Sequence, residues 1–128
     1  MGKRNIVLEK SFEFALLILG FSENLDRQKK FVIARQILKS GTSIGANISE
    51  AQSRESITDF IHKFEIASKK TNETLYRLML CKSSASCPFH ESLIDKLNEI
   101  QKLLSAMIST SKHHDRGMNH WHISILTN

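Results

Sequence analysis

The sequence predicts an all-α fold, specifically an antiparallel up-down-up-down four-helix bundle. Three observations lead there. The 128 residues include one proline and five glycines, and strand-like alternation is scarce. Apolar residues recur at helical spacing in four stretches separated by short polar breaks. Finally, the stretch from Lys39 to Ala51 looks like a loop by composition but keeps helical phase. Ala34, Ile37, Leu38, Gly41, Ile44, Gly45, Ile48 and Ala51 share one side of a helix; Gln36, Ser40, Ser43, Asn47, Glu50 and Arg54 share the other. A loop and a helix compete for this stretch, and the unbroken phase predicts the helix. Each interior glycine costs about 1 kcal/mol relative to alanine. Gly41 and Gly45 sit four apart in the apolar arc, where a missing Cβ lets another helix come close.

A chain of this length forms one domain with a core of its own. The expected bundle covers residues 1–112, followed by a tail over 113–128.

The first helix is expected to begin after Asn5 and to end near Gly20 or Phe21. Leu8, Phe12, Ala15, Leu16 and Leu19 form its expected core stripe. A second stripe, Phe14, Leu17 and Phe21, points elsewhere, and a helix apolar on two sides predicts a subunit interface. Ser22–Arg27 is the expected connection, with Asn24 or Asp26 as cap of the second helix. That helix runs about 26 residues, roughly 40 Å, to a break at Gln52–Glu55. Ser56, with Asp59 three residues on, resembles a capping box.

The third helix is expected over Ile57–Ser83, burying Ile57, Phe60, Ile61, Phe64, Ala67, Thr71, Leu75, Leu78 and Met79. Asp59, Lys63, Lys70, Glu73 and Arg77 face outward, with Ile66 among them as a further interface candidate. Ser83–His90 is a loop containing Pro88. The fourth helix carries Leu93, Leu97, Ile100, Leu104 and Met107, broadened by Ile94, Leu103 and Ile108, and fades after Ser111. Residues 112–128 lose periodicity and are expected to be an irregular tail, partly docked through Trp121 and Ile125.

Several function classes find little support. Phe14–Phe21, the longest apolar run, is too short to span a bilayer, and a signal peptide would need a better cleavage site than Gly20-Phe21-Ser22-Glu23. A soluble, cytoplasmic protein with no membrane partner is expected. Cys81 and Cys87 match no zinc spacing and are expected to be free thiols. Di-metal bundles need two Glu-x-x-His motifs; Asp59-Phe60-Ile61-His62 is one outward-facing near match. His113, His114, His120 and His122 read as a solvated cluster rather than a metal site. No nucleophile–histidine spacing or phosphate-cradling loop appears. The expectation is no catalytic residue, no metal and no cofactor.

Basic residues remain, in a chain of net charge +5 and pI near 9.4. Lys63, Lys70 and Arg77 recur every seven residues, flanked by Lys69, while Arg35 and Lys39 lie together on the second helix. Such a row suffices for phosphate binding through counterion release. A solvated, functionless face competes with that reading, because Asp59 and Glu73 interrupt the row. No aromatic residues interleave with the lysines, so base readout is not indicated.

Ser40-Gly41-Thr42-Ser43-Ile44-Gly45-Ala46-Asn47-Ile48, Glu50-Ala51, Asp59-Phe60, Lys63, Ile66-Ala67, Lys69 and Glu73-Thr74-Leu75-Tyr76 resemble the bacterial 23S rRNA-intervening-sequence protein family. Ser11 and Phe14-Ala15 also match. The resemblance covers Leu8 to Leu80 well and the fourth helix in pattern only. Lys39, Lys70 and Arg77 depart from the residues usual in the family. The resemblance implies a non-catalytic four-helix bundle, assembled as a ring-shaped homopentamer and associated with a 23S rRNA intervening sequence. It also implies a second possibility, because a similar protein accompanies the reverse transcriptase of diversity-generating retroelements. Structured RNA bound through Arg35, Lys39, Lys63, Lys69, Lys70 and Arg77 is the leading expectation. An oligomeric adaptor for a protein partner is the alternative.

Overall fold

Asn5 opens the first helix, its side-chain oxygen accepting the Leu8 N–H at 3.1 Å. The computed structural model describes the backbone of residues 5–127 and the side chains of residues 5–116. Those residues form four helices and no strand: α1 (Ile6–Arg27), α2 (Phe31–Ala51), α3 (Ile57–Ser83) and α4 (Glu91–Thr127).

α1 passes through Gly20 and ends at Arg27, beyond the expected stop. Gly20 is exposed, and Leu25 is fully buried, so the core face continues past it. The chain then reverses in one Schellman motif. Lys30 N–H donates to Leu25 O and Lys29 N–H to Asp26 O, both at 2.9 Å. Lys29 takes the left-handed position, at φ 62°, usually given to glycine. Asn24 and Asp26 therefore lie inside α1 and do not cap α2, whose N-cap, Lys30, makes no side-chain capping bond.

α2 runs unbroken through the glycine- and serine-rich stretch and stops at the expected break. α3 starts where the capping box placed it, with Ser56 Oγ accepting from Asp59 N–H at 3.1 Å. α4 does not fade at Ser111 but continues to Thr127. Extending an established helix fixes few dihedrals per added bond, so it can continue without an apolar stripe. The proposed docking of Trp121 and Ile125 falls on side chains outside the described residues.

Successive helices are neighbours, and α4 also meets α1. Asn5 bonds Gln52 between α1 and α2, and Lys10 pairs with Glu99 between α1 and α4. Between α3 and α4, Gln101 bonds both Ser68 and Asn72. Among the described residues, every buried side-chain polar atom has a hydrogen-bond partner.

The two glycines of α2 do what their place in the apolar arc implies. A Cβ on Gly41 would meet Cγ1 and Cγ2 of Ile18 at 3.0 Å, and one on Gly45 would meet Ser11 Oγ at 3.3 Å. Their bare backbone lets α1 approach.

α1 has two apolar stripes, and their roles are exchanged at most positions, although Leu8 packs against the core and Leu17 stays exposed as expected. Val7, Phe14, Ile18, Phe21 and Leu25 face the core, with Ser11 and Ser22 buried among them. Phe12, Leu16 and Leu19, expected inside, are 62%, 55% and 43% exposed. The buried serines explain the reversal: Ser11 donates to Leu8 O and Ser22 to Leu19 O, so each satisfies itself within the helix. Met79 of α3, also expected inside, is exposed, while the other apolar positions assigned to α3 are buried or half-buried.

Candidate nucleic-acid interface

The polar stripe of α2 and the basic row of α3 meet along one seam. Arg77 bonds the Gln36 carbonyl at 3.3 Å, Thr74 donates to Ser40 Oγ at 2.8 Å, and Lys63 bonds Glu50 at 2.9 Å. As numbering rises along α2 in these bonds it falls along α3. Ser40 and Thr74 are buried, which makes their bond part of the core rather than a binding group.

The seam holds three of the six cations singled out in the sequence. Besides Lys63, Lys70 lies 3.3 Å from Glu73, and Arg77 lies 4.0 Å from the same carboxylate. The hydrogen bond from Lys63 to Glu50, aided by the Glu50 charge, holds the Lys63 ammonium above the ordinary lysine range. These three side chains are half-buried, so each presents part of its charge and commits the rest to the fold. Arg35, Lys39 and Lys69 are exposed and have no ion-pair partner among the described residues. α2 and α3 thus carry three paired and three unpaired cations. Sequence spacing revealed the row but not Glu50 or the Gln36 carbonyl as partners, because both come from another helix.

The four expected interface residues part company. Phe14 is 0% exposed and Phe21 5%, so both belong to the core and neither can meet another subunit. Phe21 instead packs edge-on against His90. Leu17 remains exposed, and Ile66 is half-buried beside the seam. Phe12, Leu16 and Leu19 form an open apolar stripe on α1. Beside it lies a groove of about 560 Å³ between α1 and α2, lined by Leu8, Phe12, Ala15, Thr42, Ala46 and Ser49 among others. The sequence did contain the signal: positions 7, 11, 14, 18, 21 and 25 continue one face to the end of α1, whereas the other stripe gives way to Glu23.

Among the described residues, no three His, Cys, Asp or Glu side chains gather as a metal site. His62, His113 and His114 are exposed, and the side chains of His120 and His122 lie outside the described residues. Among the described residues, no helix is long and apolar enough to cross a membrane.

Comparison with known proteins agrees with the fold. A family model described as 23S rRNA-intervening sequence protein matches residues 3–106. A crystal structure of a protein of unknown function from the S23 ribosomal protein family, from Bacteroides thetaiotaomicron, is 46% identical with a TM-score of 0.76. The match covers 80% of this chain and 97% of that one. No curated protein matches the chain.

Proposed function

Because the chain belongs to the 23S rRNA-intervening sequence protein family, we propose that it is a non-catalytic, self-associating bundle that binds structured RNA through α2 and α3. The observation that carries the RNA reading is the set of exposed, unpaired cations Arg35, Lys39 and Lys69 beside the half-buried Lys63, Lys70 and Arg77. Point charges held on rigid helices suit a phosphate backbone, and no aromatic platform for bases accompanies them. Glu50 and Glu73 fix the seam cations in place, so the unpaired three contribute most of the net attraction.

The cross-helix bonds support an up-down-up-down order, since residue numbers run in opposite senses across each pair of neighbours. A head-to-tail assembly follows from the placement of exposed apolar residues. One group, Phe12, Leu16 and Leu19, lies on α1; another, Val32, Tyr76 and Leu80, lies at the start of α2 and the end of α3. Two different patches that meet one another make a heterologous contact, and such a contact closes into a ring when the rotation between neighbours divides the full circle. A homopentamer is the ring implied by the family resemblance.

The groove beside Phe12 also supports a second reading, an oligomeric adaptor in which a protein partner occupies the α1–α2 face. One experiment separates the two. Binding of an intervening-sequence transcript is measured across a salt series for the native chain and for Arg35→Glu, Lys39→Glu and Lys69→Glu. The RNA reading expects weaker binding and a shallower salt slope for each reversal. Absence of binding at low salt, or binding indifferent to all three reversals, leaves the adaptor.

A further inference from the structure

Cys81 and Cys87 are six positions apart in sequence, but the fold brings them together. Ser84 N–H donates to the Cys81 carbonyl at 3.3 Å, and Cys87 N–H donates to the Ser84 carbonyl at 3.4 Å. Two successive turns thus fold the end of α3 back on itself. Both cysteines line one cavity of about 210 Å³, together with Lys30, Ile33, Ser84 and Ser86. Lys30 reaches across from the α1–α2 turn to bond Ser86 at 3.3 Å, bringing an ammonium to the cavity wall. Cys81 is buried and Cys87 half-buried, so solvent reaches the second sulfur more readily.

We propose that Cys81 and Cys87 form a reversible intramolecular disulfide that ties the last turn of α3 to the loop before α4. Peroxide is the oxidant class that suits this geometry. The Cys87 thiolate attacks one peroxide oxygen; the O–O bond breaks, and the departing hydroxide takes a proton to leave as water. Cys87 is then a sulfenic acid. The Cys81 sulfur attacks the Cys87 sulfur, the S–O bond breaks, and the leaving hydroxide takes the Cys81 proton as a second water. Two thiols and one peroxide thus become one disulfide and two waters.

The side chains of the two cysteines already interact in the reduced protein, and burial pushes the Cys81 thiol up to about 12. Cys81 therefore stays protonated at neutral pH, which assigns the first oxidation to Cys87; Cys81 closes the bridge as its proton passes to the hydroxide leaving the sulfenic acid. The bond holds the 84–90 loop against the end of α3.

The test treats the full-length reduced protein with hydrogen peroxide, then counts thiols after denaturation and maps linked peptides by mass spectrometry. The expected result is loss of both thiols, a Cys81–Cys87 cross-link within one chain, and full recovery with dithiothreitol. In Cys81→Ala, a sulfenic acid trap should label Cys87; in Cys87→Ser, Cys81 should keep its thiol under the same exposure. Cross-links only between chains, over-oxidation of Cys87 in the native protein without a bridge, or two intact thiols would each overturn the proposal. The native-protein map decides the matter even where a variant folds poorly.

Discussion

Along the outer side of α1, Phe12, Leu16 and Leu19 stand exposed, whereas along the α2–α3 seam Lys63, Lys70 and Arg77 each rest against an oxygen of the fold. Both faces look outward, but only one has its chemistry satisfied within the chain. An apolar stripe gains nothing from water and calls for another surface. A cation loses little at a seam where a carboxylate meets it and part of it stays solvated. On the proposed function, the difference gives assembly to α1 and leaves the unpaired cations Arg35, Lys39 and Lys69 for phosphate.

The sharpest way to break this comparison is to set the two stripes of α1 against each other. Phe14→Ala should cost about 3–5 kcal/mol, the usual loss for a buried phenylalanine, in a denaturant melt. Phe12→Ala should change the stability of an isolated protomer by no more than about 0.5 kcal/mol, as a surface change does. Equal losses would mean that the two stripes share the core.

Next come the glycines on the other side of the α1–α2 contact. Gly41→Ala should destabilise by about 1–3 kcal/mol through overpacking, because the Ile18 side chain it meets is fully buried. Gly45→Ala faces a serine hydroxyl at 3.3 Å, and its gain in helix propensity offsets much of the strain. Its thermal midpoint should therefore stay closer to that of the native chain.

A smaller effect lies at the turn that ends α1. Lys29 holds a left-handed backbone, so Lys29→Gly should stabilise by about 1 kcal/mol, the cost of that conformation for a residue with a Cβ. A chemical melt that shows no gain would place the strain elsewhere.

The smallest effect belongs to the seam. Glu50→Gln should lower the Lys63 pKa toward the ordinary lysine value, readable by NMR of the ammonium group. A lysine pKa raised by folding contributes stability that is complete below the unfolded value and lost as pH rises through the folded one. At neutral pH the pair is therefore fully formed, and any loss appears only in the alkaline range. An unshifted Lys63 in Glu50→Gln would remove the seam pair from the account.

How far the sequence foretold these faces depends on whether the deciding interaction is local. The start of α3 was legible because Ser56 and Asp59 are three residues apart and form the cap between themselves. The helix through Gly41 and Gly45 was legible because phase is a local property. The stripes of α1 were legible but exchanged, since a helix that ends at Gly20 leaves out Leu25, and the core face includes two serines, Ser11 and Ser22, that an apolar pattern does not show. The pairing of Lys63 with Glu50 was not legible, because it depends on the register between two helices. The far end of α4 was not legible, because a helix that continues without an apolar stripe leaves no periodic signal in the sequence.

The central claim is that the exposed stripe of α1 is an assembly surface, and the mass of the protein in solution tests it most directly. Sedimentation velocity is run on the native chain and on Leu16→Asp, with circular dichroism as a check on helicity. The account predicts an oligomer for the native chain and a protomer-sized, equally helical species for the variant. A native protein that sediments as a protomer, or a variant whose oligomer is unchanged, would contradict it.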